Sequence, residues 1–285
     1  MKIGVIPQRF KENAATSLRT AHRIGAEAVQ LYAVANGENL QDFSDTQLND
    51  IKNYCCDNNM EITGICGEVG GFGFRLPEKN SERIDFTRRN LLLAKKLGGY
   101  MVSSHIGVIN PQVRPLQLES LQKIAEYAEE LQVYFAIETG PEKAEILLDL
   151  VNEVNSDYVK INLDPANLVM VQNEDAVRAI HTFGNTIVHT HAKDGINYHE
   201  CDSEEIYTAF AHGGIKELFA KNGKAFAETP IGHGAINWTV YMAELYKLNP
   251  NLPMIIEREI SSAIIPECEE AIKYLKVIRE TLQSL

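Results

Sequence analysis

Short apolar runs alternate with longer amphipathic stretches along the whole chain. A short apolar run bounded by polar residues predicts a buried strand, and apolar residues spaced three or four apart predict a helix. Eight such pairs follow one another, which is typical of βα units around a parallel sheet. The predicted strands are residues 2–7, 28–32, 61–66, 100–105, 134–138, 158–164, 187–191 and 253–257.

The predicted helices each carry one apolar stripe, which suits packing on the outside of a barrel. The last helix has the longest stripe, formed by Ala271, Leu275, Ile278 and Leu282. Gly25 and Gly98 each follow a helical stretch and precede the next strand, as glycines that end helices do.

The length of 285 residues suits a single α/β barrel, a fold that takes roughly 250 residues. We therefore predict one domain, residues 1–285, with the (β/α)8 TIM-barrel fold. A doubly wound open sheet is the alternative, and it would favour a glycine-rich turn after the first strand. The chain has Pro7-Gln8-Arg9-Phe10 at that point, with no such turn.

One long irregular connection lies between His191 and Trp238, and it contains a helical pattern around residues 206–219. Connections of this length are usually functional or carry extra structure. Because it follows the seventh strand, we expect it to cover the C-terminal face of the barrel, where the active sites of TIM barrels lie.

The composition and the charge disfavour two classes of binding partner, nucleic acids and membranes. A net charge of -12, without any run of Lys or Arg, disfavours nucleic acid. No apolar run approaches the ~20 residues of a membrane helix, and the first residues lack the pattern of a signal peptide. Five cysteines, an odd number without a CxxC pair, suit packing in a reducing compartment. We therefore predict a cytoplasmic protein that binds neither membranes nor nucleic acid.

The fifth to eighth predicted strands each end in a residue that can bind a metal ion. These residues are Glu138, Asp164, His191 and Glu257. Strand ends converge in a barrel, and charged groups there are costly to bury unless they are paired or coordinated. We therefore predict one shared divalent ion. Three carboxylates and an imidazole favour Mn²⁺, with Mg²⁺, Co²⁺ or Zn²⁺ as alternatives.

Each of these residues also has a structural interpretation. An aspartate at a strand end commonly caps the next helix, and Asp164 before Pro165 fits that role. His189 and His191 lie two residues apart on one strand and should point to the same side. We expect one of these two histidines to be structural.

A divalent ion with open coordination positions can bind the carbonyl and neighbouring hydroxyl of a ketose. It then stabilises the enediolate that forms when a C–H proton is removed. Glu138 and Glu257 come from strands three apart around the ring. They could act as base and acid on opposite faces of the substrate, which would give epimerisation.

Seven segments carry a resemblance that extends over most of the chain: ICGEVGGFGF, SSHIG, IETGPEKAE, NLDPANL, HTHAKD, PIGHGAINW and IERE. In this order they resemble the xylose-isomerase-like TIM-barrel superfamily, which includes sugar phosphate isomerases and epimerases of the D-tagatose 3-epimerase type. The resemblance implies the same four metal ligands, with the second histidine of HTH as the imidazole. It also implies that the two glutamates form the acid/base pair.

The resemblance places His105 in the substrate pocket. Asn167 departs from the epimerase pattern, which has a histidine three residues after the metal-binding aspartate. Asn167 can donate a hydrogen bond to a sugar hydroxyl but cannot carry a proton. Alternation points Lys193 to the same side as His191, so we expect it to contact the substrate as well.

The sequence leaves several residues beyond the metal ligands with two interpretations. Asp194 and Arg258 could contact the substrate, although Arg258 should point outward. Glu145 could orient a substrate hydroxyl, although stabilisation of the dipole of the helix that it starts is the favoured interpretation. The backbone amides of Gly232 and Gly234 could form a phosphate cradle, or they could belong to a turn before a helix capped by Asn237.

The predicted activity is a metal-dependent isomerase or epimerase of a sugar or sugar phosphate. A dehydratase of the inosose dehydratase type is the main alternative on the same site. An endonuclease like endonuclease IV would need more histidines and a basic surface, and a non-catalytic sugar-binding barrel would not need the acid/base pair. The sequence leaves the number of subunits open, and a homo-oligomer is one of the alternatives.

Overall fold

Eight parallel strands pair with their neighbours in chain order, and the first strand also pairs with the last. The sheet therefore closes into a barrel without a free edge, which confirms the predicted fold and excludes the open sheet. This computed structural model describes residues 1–284, so residue 285 of the predicted domain lies outside it. The strands are β1 (Ile3–Val5), β2 (Ala28–Tyr32), β3 (Glu61–Cys66), β4 (Met101–Ser104), β5 (Tyr134–Glu138), β6 (Val159–Leu163), β7 (Ile187–Ala192) and β8 (Met254–Ile256).

All eight predicted strands are present, and the differences lie at their ends. β1 and β8 are shorter than predicted because the chain leaves the sheet early, and a 3-10 turn follows β1 at Pro7–Phe10. β7 continues one residue further, to Ala192. Asp164 and Glu257 thus lie one residue beyond their strands, at the C-terminal mouth of the barrel.

Eight outer helices surround the barrel in residues 1–284. Their apolar stripes face the strands, and in the last helix Ala271, Leu275 and Ile278 are buried as predicted. Gly98 ends the third helix in the left-handed conformation, with φ 82°. None of the described helices is long and apolar enough to cross a membrane. The helices are α1 (Ala14–Arg23), α2 (Asp45–Asp57), α3 (Pro77–Leu97), α4 (Arg114–Leu131), α5 (Ala144–Val154), α6 (Ala176–Phe183), α7 (Trp238–Leu248) and α8 (Ile264–Gln283).

Part of the barrel interior is polar, and its groups are hydrogen-bonded to one another. The side-chain amide of Gln30 on β2 donates to Ser103 Oγ on β4, at 2.7 Å. His189 Nδ1 lies 2.8 Å from Asn162 Oδ1, and its Nε2 lies 3.0 Å from Thr63 Oγ1. Buried polar groups are tolerated only when they are paired in this way. The network fixes the side chains directly beneath the mouth of the barrel.

The long connection from β7 to α7 folds over the cavity at the C-terminal mouth, as predicted. It contains two helices, Ser203–Ala211 and Ile215–Asn222, where the sequence indicated one helical pattern. Gly213, with φ 72°, lies between them, because a chain that turns this sharply favours glycine. An antiparallel pair of strands, Asp194–Asn197 with Phe226–Thr229, flanks the two helices, and Phe226 packs against Phe210 of the first helix and Phe219 of the second.

The return of this connection to α7 is fixed by the buried carboxylate of Asp194. It accepts hydrogen bonds from the amides of Gly232 and Gly234 at 2.9 and 3.1 Å, and from Trp238 Nε1 at 2.9 Å. The suggested phosphate cradle is therefore filled by a carboxylate of the chain itself. Asn237 caps α7 through the amide of Val240, which confirms the structural interpretation of this segment.

We predict that Asp194→Ala lowers the free energy of unfolding by about 3 kcal/mol, because it leaves several buried N–H donors without an acceptor. Urea unfolding measures the change. Asp202→Ala is the matched control, since Asp202 is an exposed aspartate that caps a helix through the amide of Glu205. Its loss should cost only ~1 kcal/mol. Equal losses in the two variants would contradict the anchoring role of Asp194.

Candidate functional site

Four buried side chains converge at the ends of β5 to β8, as the sequence predicted. Glu138, Asp164, His191 and Glu257 each offer an atom within 4.8 Å of the others, and none is more than 5% exposed. His191 Nδ1 lies 3.4 Å from Glu138, 3.6 Å from Asp164 and 3.5 Å from Glu257. We call these four residues the acidic cluster. They meet because their strands are consecutive around the barrel.

The imidazole of His191 is oriented by the polar interior. Its Nε2 donates to Gln30 Oε1 at 2.8 Å, so Nδ1 is directed at the three carboxylates. A histidine that binds a metal usually donates its other N–H to such an acceptor. His189, in contrast, has both ring nitrogens within hydrogen-bonding distance of Asn162 and Thr63. Of the two histidines, His191 belongs to the cluster and His189 to the core.

The surroundings of the two histidines shift their pKa values in opposite directions. Burial lowers the pKa of His189 well below its ordinary value. Burial also disfavours the charged form of His191, but Glu138 and Glu257 outweigh it and raise the pKa of His191 well above its ordinary value. The cluster therefore favours a positive charge at the position that Nδ1 faces.

Two atoms of the acidic cluster lack hydrogen-bond partners in the described part of the chain, namely Asp164 Oδ2 and His191 Nδ1. Asp164 Oδ1 accepts from the amides of Ala166 and Asn167, so the capping role of this residue is real. Its second oxygen is free to face the other carboxylates. Unpaired buried polar atoms are rare in proteins, and the binding of an ion is one standard explanation. An oxygen and a nitrogen ligand in this arrangement fit a divalent cation.

Two cations contact the carboxylate of Glu257. Lys193 Nζ lies 3.0 Å from Glu257 Oε2 and 3.8 Å from Asp164 Oδ2, and it also pairs with Glu259. Arg9 approaches the other oxygen of Glu257, at 3.1 Å. Burial alone would raise the pKa of Glu257, but Lys193, His191 and Arg9 outweigh it and hold that pKa well below its ordinary value. Glu257 is therefore ionised near neutral pH.

The other side of the cluster, around Glu138, is lined by His105 and Asn167. His105 Nε2 lies 3.8 Å from Glu138 Oε1, and Asn167 Nδ2 lies 3.4 Å from the same oxygen. Glu68 lies 3.2 Å from His105 Nδ1. Glu68 and Glu138 outweigh the effect of burial and raise the pKa of His105 to about 10. His105 is therefore a charged hydrogen-bond donor beside Glu138.

A cavity of about 500 Å³ opens over the acidic cluster. Its lining includes the two glutamates of the cluster and all three residues that the sequence assigned to substrate binding, His105, Asn167 and Lys193. The structure thus brings every predicted site residue to one place.

Other residues in the lining were not identified from the sequence. Glu259 could have been found, because it lies two residues after Glu257 and alternation directs it to the same side. Glu68 lies just after the end of β3. A search for charged residues at the ends of all the predicted strands would also have found it. Tyr207 and Glu228 come from the long connection, and no local pattern marks them.

Three of the residues with two interpretations take structural roles. Asp194 binds the amides described above. Arg258 pairs with Glu228 and Glu267, directed away from the acidic cluster. Glu145 lies in the first turn of α5 at the surface, which agrees with a role at the helix dipole.

The family described as xylose isomerase-like TIM barrel matches residues 18–280. No curated protein sequence matches the chain.

Solved structures align over nearly the whole chain. D-psicose 3-epimerase from Clostridium cellulolyticum H10, solved with D-tagatose, is 17% identical at a TM-score of 0.74, covering 98% of this chain and 99% of that one. The probable 3-DHS dehydratase AsbF from Bacillus anthracis is 18% identical at 0.74, covering 97% and 99%. A xylose isomerase-like TIM barrel protein from Mycobacterium smegmatis in complex with magnesium is 16% identical at 0.71, covering 94% and 89%. At these identities the likeness concerns the fold, and the match over most of the sequence identifies the chain as a member of the xylose isomerase-like TIM barrel family.

Proposed function

We propose that this chain is a divalent-metal-dependent isomerase or epimerase of a sugar or sugar phosphate. The observation that carries the proposal is the acidic cluster, in which four buried side chains converge and two polar atoms lack a partner. The cluster lies beside a cavity large enough for a small molecule. Perturbed ionisable groups in such a cavity are typical of catalytic sites.

The balance of charge at the cluster supports a divalent ion. Glu138, Asp164, Glu257 and the adjoining Glu259 are four carboxylates, and Arg9 and Lys193 are two cations that pair with them. The charged His105 beside Glu138 is balanced by its own partner, Glu68. Two negative charges remain when His191 is neutral, and they equal the charge of one divalent ion. Burying a charged group away from water without such compensation costs several kcal/mol per ion.

Glu138, Asp164, His191 and Glu257 would hold the ion, with His191 binding through Nδ1. The donor set of three carboxylates and one imidazole favours Mn²⁺, although Mg²⁺, Co²⁺ and Zn²⁺ accept the same ligands. The neighbour from Mycobacterium smegmatis with magnesium agrees with a hard divalent ion in this fold. When bound, the ion supplies Lewis-acid stabilisation of the enediolate of a ketose.

The two glutamates divide the proton transfers in this proposal. Glu257 is ionised, because Lys193, His191 and Arg9 hold its pKa well below its ordinary value, so it can accept a proton from the substrate carbon. Glu138 lies three strands away around the barrel; it takes up a proton from solvent and delivers it to the other face, and Glu257 then releases its proton to solvent. Such a pair inverts the configuration of the carbon between them.

Three further side chains would orient the substrate. His105 and Asn167 approach Glu138 with N–H groups, and Lys193 lies on the opposite side beside Glu257. All three can donate hydrogen bonds to sugar hydroxyls. Asn167 carries no titratable proton, so in this chain proton transfer is left to the two glutamates.

A dehydratase is the second candidate. The structural neighbour from Bacillus anthracis is described as a probable dehydratase. The same deprotonated intermediate would lose a hydroxide in place of regaining a proton, and the charged His105 is an acid that could protonate this leaving group. Product analysis separates the two candidates, because dehydration lowers the mass of the product and epimerisation does not.

Turnover in D₂O tests the proposed chemistry and the role of Glu257 together. We predict that the Mn²⁺-loaded protein, given a panel of ketoses and ketose phosphates, places deuterium on the carbon beside the carbonyl of its substrate, as NMR will detect. Glu257→Gln should lower turnover by ~10²–10⁴, the usual loss when a general base is removed. It should retain the ion, because glutamine keeps one coordinating oxygen.

Glu267→Gln is the matched control for Glu257→Gln. Glu267 is a carboxylate bound to Arg258 outside the acidic cluster, so its loss should leave turnover within about threefold. Loss of water without deuterium in a retained ketose would support the dehydratase. Exchange that is independent of metal, or near-normal turnover in Glu257→Gln, would contradict the proposal.

The two histidines of β7 provide a test of the metal ligands. We predict that His191→Ala weakens Mn²⁺ binding by at least ~100-fold, more than the loss of residues that only orient a ligand. His189→Ala should retain one ion per chain but unfold at a lower urea concentration, because it removes a hydrogen-bonded core side chain. Calorimetric titration with Mn²⁺ and urea unfolding measure the two effects. Equal metal affinities in the two variants would refute the assignment of His191.

A further inference from the structure

A row of aromatic side chains begins beside the acidic cluster and extends along the cavity. Tyr207 lies 5.9 Å from the ring of His105, and Phe210 lies 6.3 Å from Tyr207. Phe226 lies 6.4 Å from Phe210, and Phe219 lies 5.1 Å from Phe226. All four line the cavity. We call these four residues the aromatic row.

The aromatic row starts close to the proposed reaction centre. Gly140 follows β5, and a Cβ atom placed there would lie 2.1 Å from the hydroxyl oxygen of Tyr207. A side chain at this position would therefore displace Tyr207 from the end of β5, where Glu138 lies. The close approach connects the row with the acidic cluster, so one ligand can contact both.

The cavity is larger than a single sugar ring requires. A hexose has about twelve non-hydrogen atoms, and even at ~30 Å³ each, the volume of a liquid water, it would fill only ~360 Å³. The cavity measures about 500 Å³. Phe210, on the far side of Tyr207 from His105, is 46% exposed, so apolar ring surface remains available to a ligand.

The charges around the cavity do not favour a phosphate as the additional group. Arg9 and Lys193 are already paired with Glu257 and Glu259. Lys216 and Lys224, which also line the cavity, are exposed, so their attraction for an anion is screened by solvent. The surface next to the cluster is instead formed by aromatic rings, which bind planar apolar groups by stacking.

We propose that the aromatic row is a second subsite, which binds a planar apolar group attached to the reacting sugar. The substrate class is then a keto-sugar that carries an aryl substituent, such as an aryl glycoside whose ketone lies on a ring carbon other than the anomeric one, and not a free monosaccharide. This inference rests on the proposed function for the sugar half of the ligand. The subsite also accounts for the length of the β7–α7 connection, which supplies all four rings.

Paired probes test the subsite by binding alone. The Mn²⁺-loaded protein is titrated with 4-nitrophenyl and methyl glycosides of the same set of hexoses and pentoses, and Kd is measured by calorimetry. We predict that the best aryl glycoside binds about tenfold more tightly than its methyl counterpart. Phe210→Ala and Phe219→Ala should each reduce this ratio to less than about threefold, and Phe210→Leu should give an intermediate ratio.

Phe86→Ala is the matched control, because Phe86 is a partly buried phenylalanine on the outer helix α3 and should keep the full ratio. Circular dichroism confirms that each variant is folded. Equal affinities for aryl and methyl glycosides, no binding of any aryl glycoside, or an undiminished ratio in both alanine variants would overturn the subsite. Tighter binding of hexose 6-phosphates would overturn it as well. Because the assay needs no turnover, its outcome is separate from that of the D₂O experiment.

Discussion

Burying several carboxylates at one end of a barrel costs free energy, and the rest of the structure must offset that cost. Glu138, Asp164 and Glu257 are almost fully removed from solvent, within a few ångströms of one another. Such an arrangement is unstable unless positive charge compensates it. Lys193 and Arg9 provide part of that charge, and a divalent ion facing His191 Nδ1 would provide the remainder.

Several features of the fold follow from that constraint. Gln30 and Ser103 hold His191 so that one ring nitrogen faces the carboxylates. The β7–α7 connection covers the mouth of the barrel and limits the access of water, which would otherwise weaken each electrostatic interaction there. Asp194 fixes the end of this connection, so the aromatic rings that it carries keep their positions above the cluster.

Much of the fold and of the site could be predicted from the sequence, because both depend on local patterns. Alternation located all eight strands, and the convergence of strand ends in a barrel brought together Glu138, Asp164, His191 and Glu257. Alternation alone gives His189 and His191 the same orientation. Only their hydrogen-bond partners on other strands separate the core histidine from the one in the cluster.

The features that could not be predicted depend on contacts between distant segments. The amides of Gly232 and Gly234 suggested a phosphate cradle, but Asp194, some forty residues earlier, already fills it. The aromatic row is likewise assembled from two helices and one strand of a two-stranded sheet. Its rings meet only after the connection has folded over the barrel.

Anomalous diffraction from crystals grown with Mn²⁺ would test the central claim most directly. We predict one manganese peak per chain, with ligand atoms of Glu138, Asp164, His191 and Glu257 at ~2.0–2.4 Å. Glu68, His105 and Glu138 form the other group in residues 1–284 that could hold an ion. A peak at that group alone, or no peak within reach of His191 Nδ1, would contradict a metal ion shared by the acidic cluster.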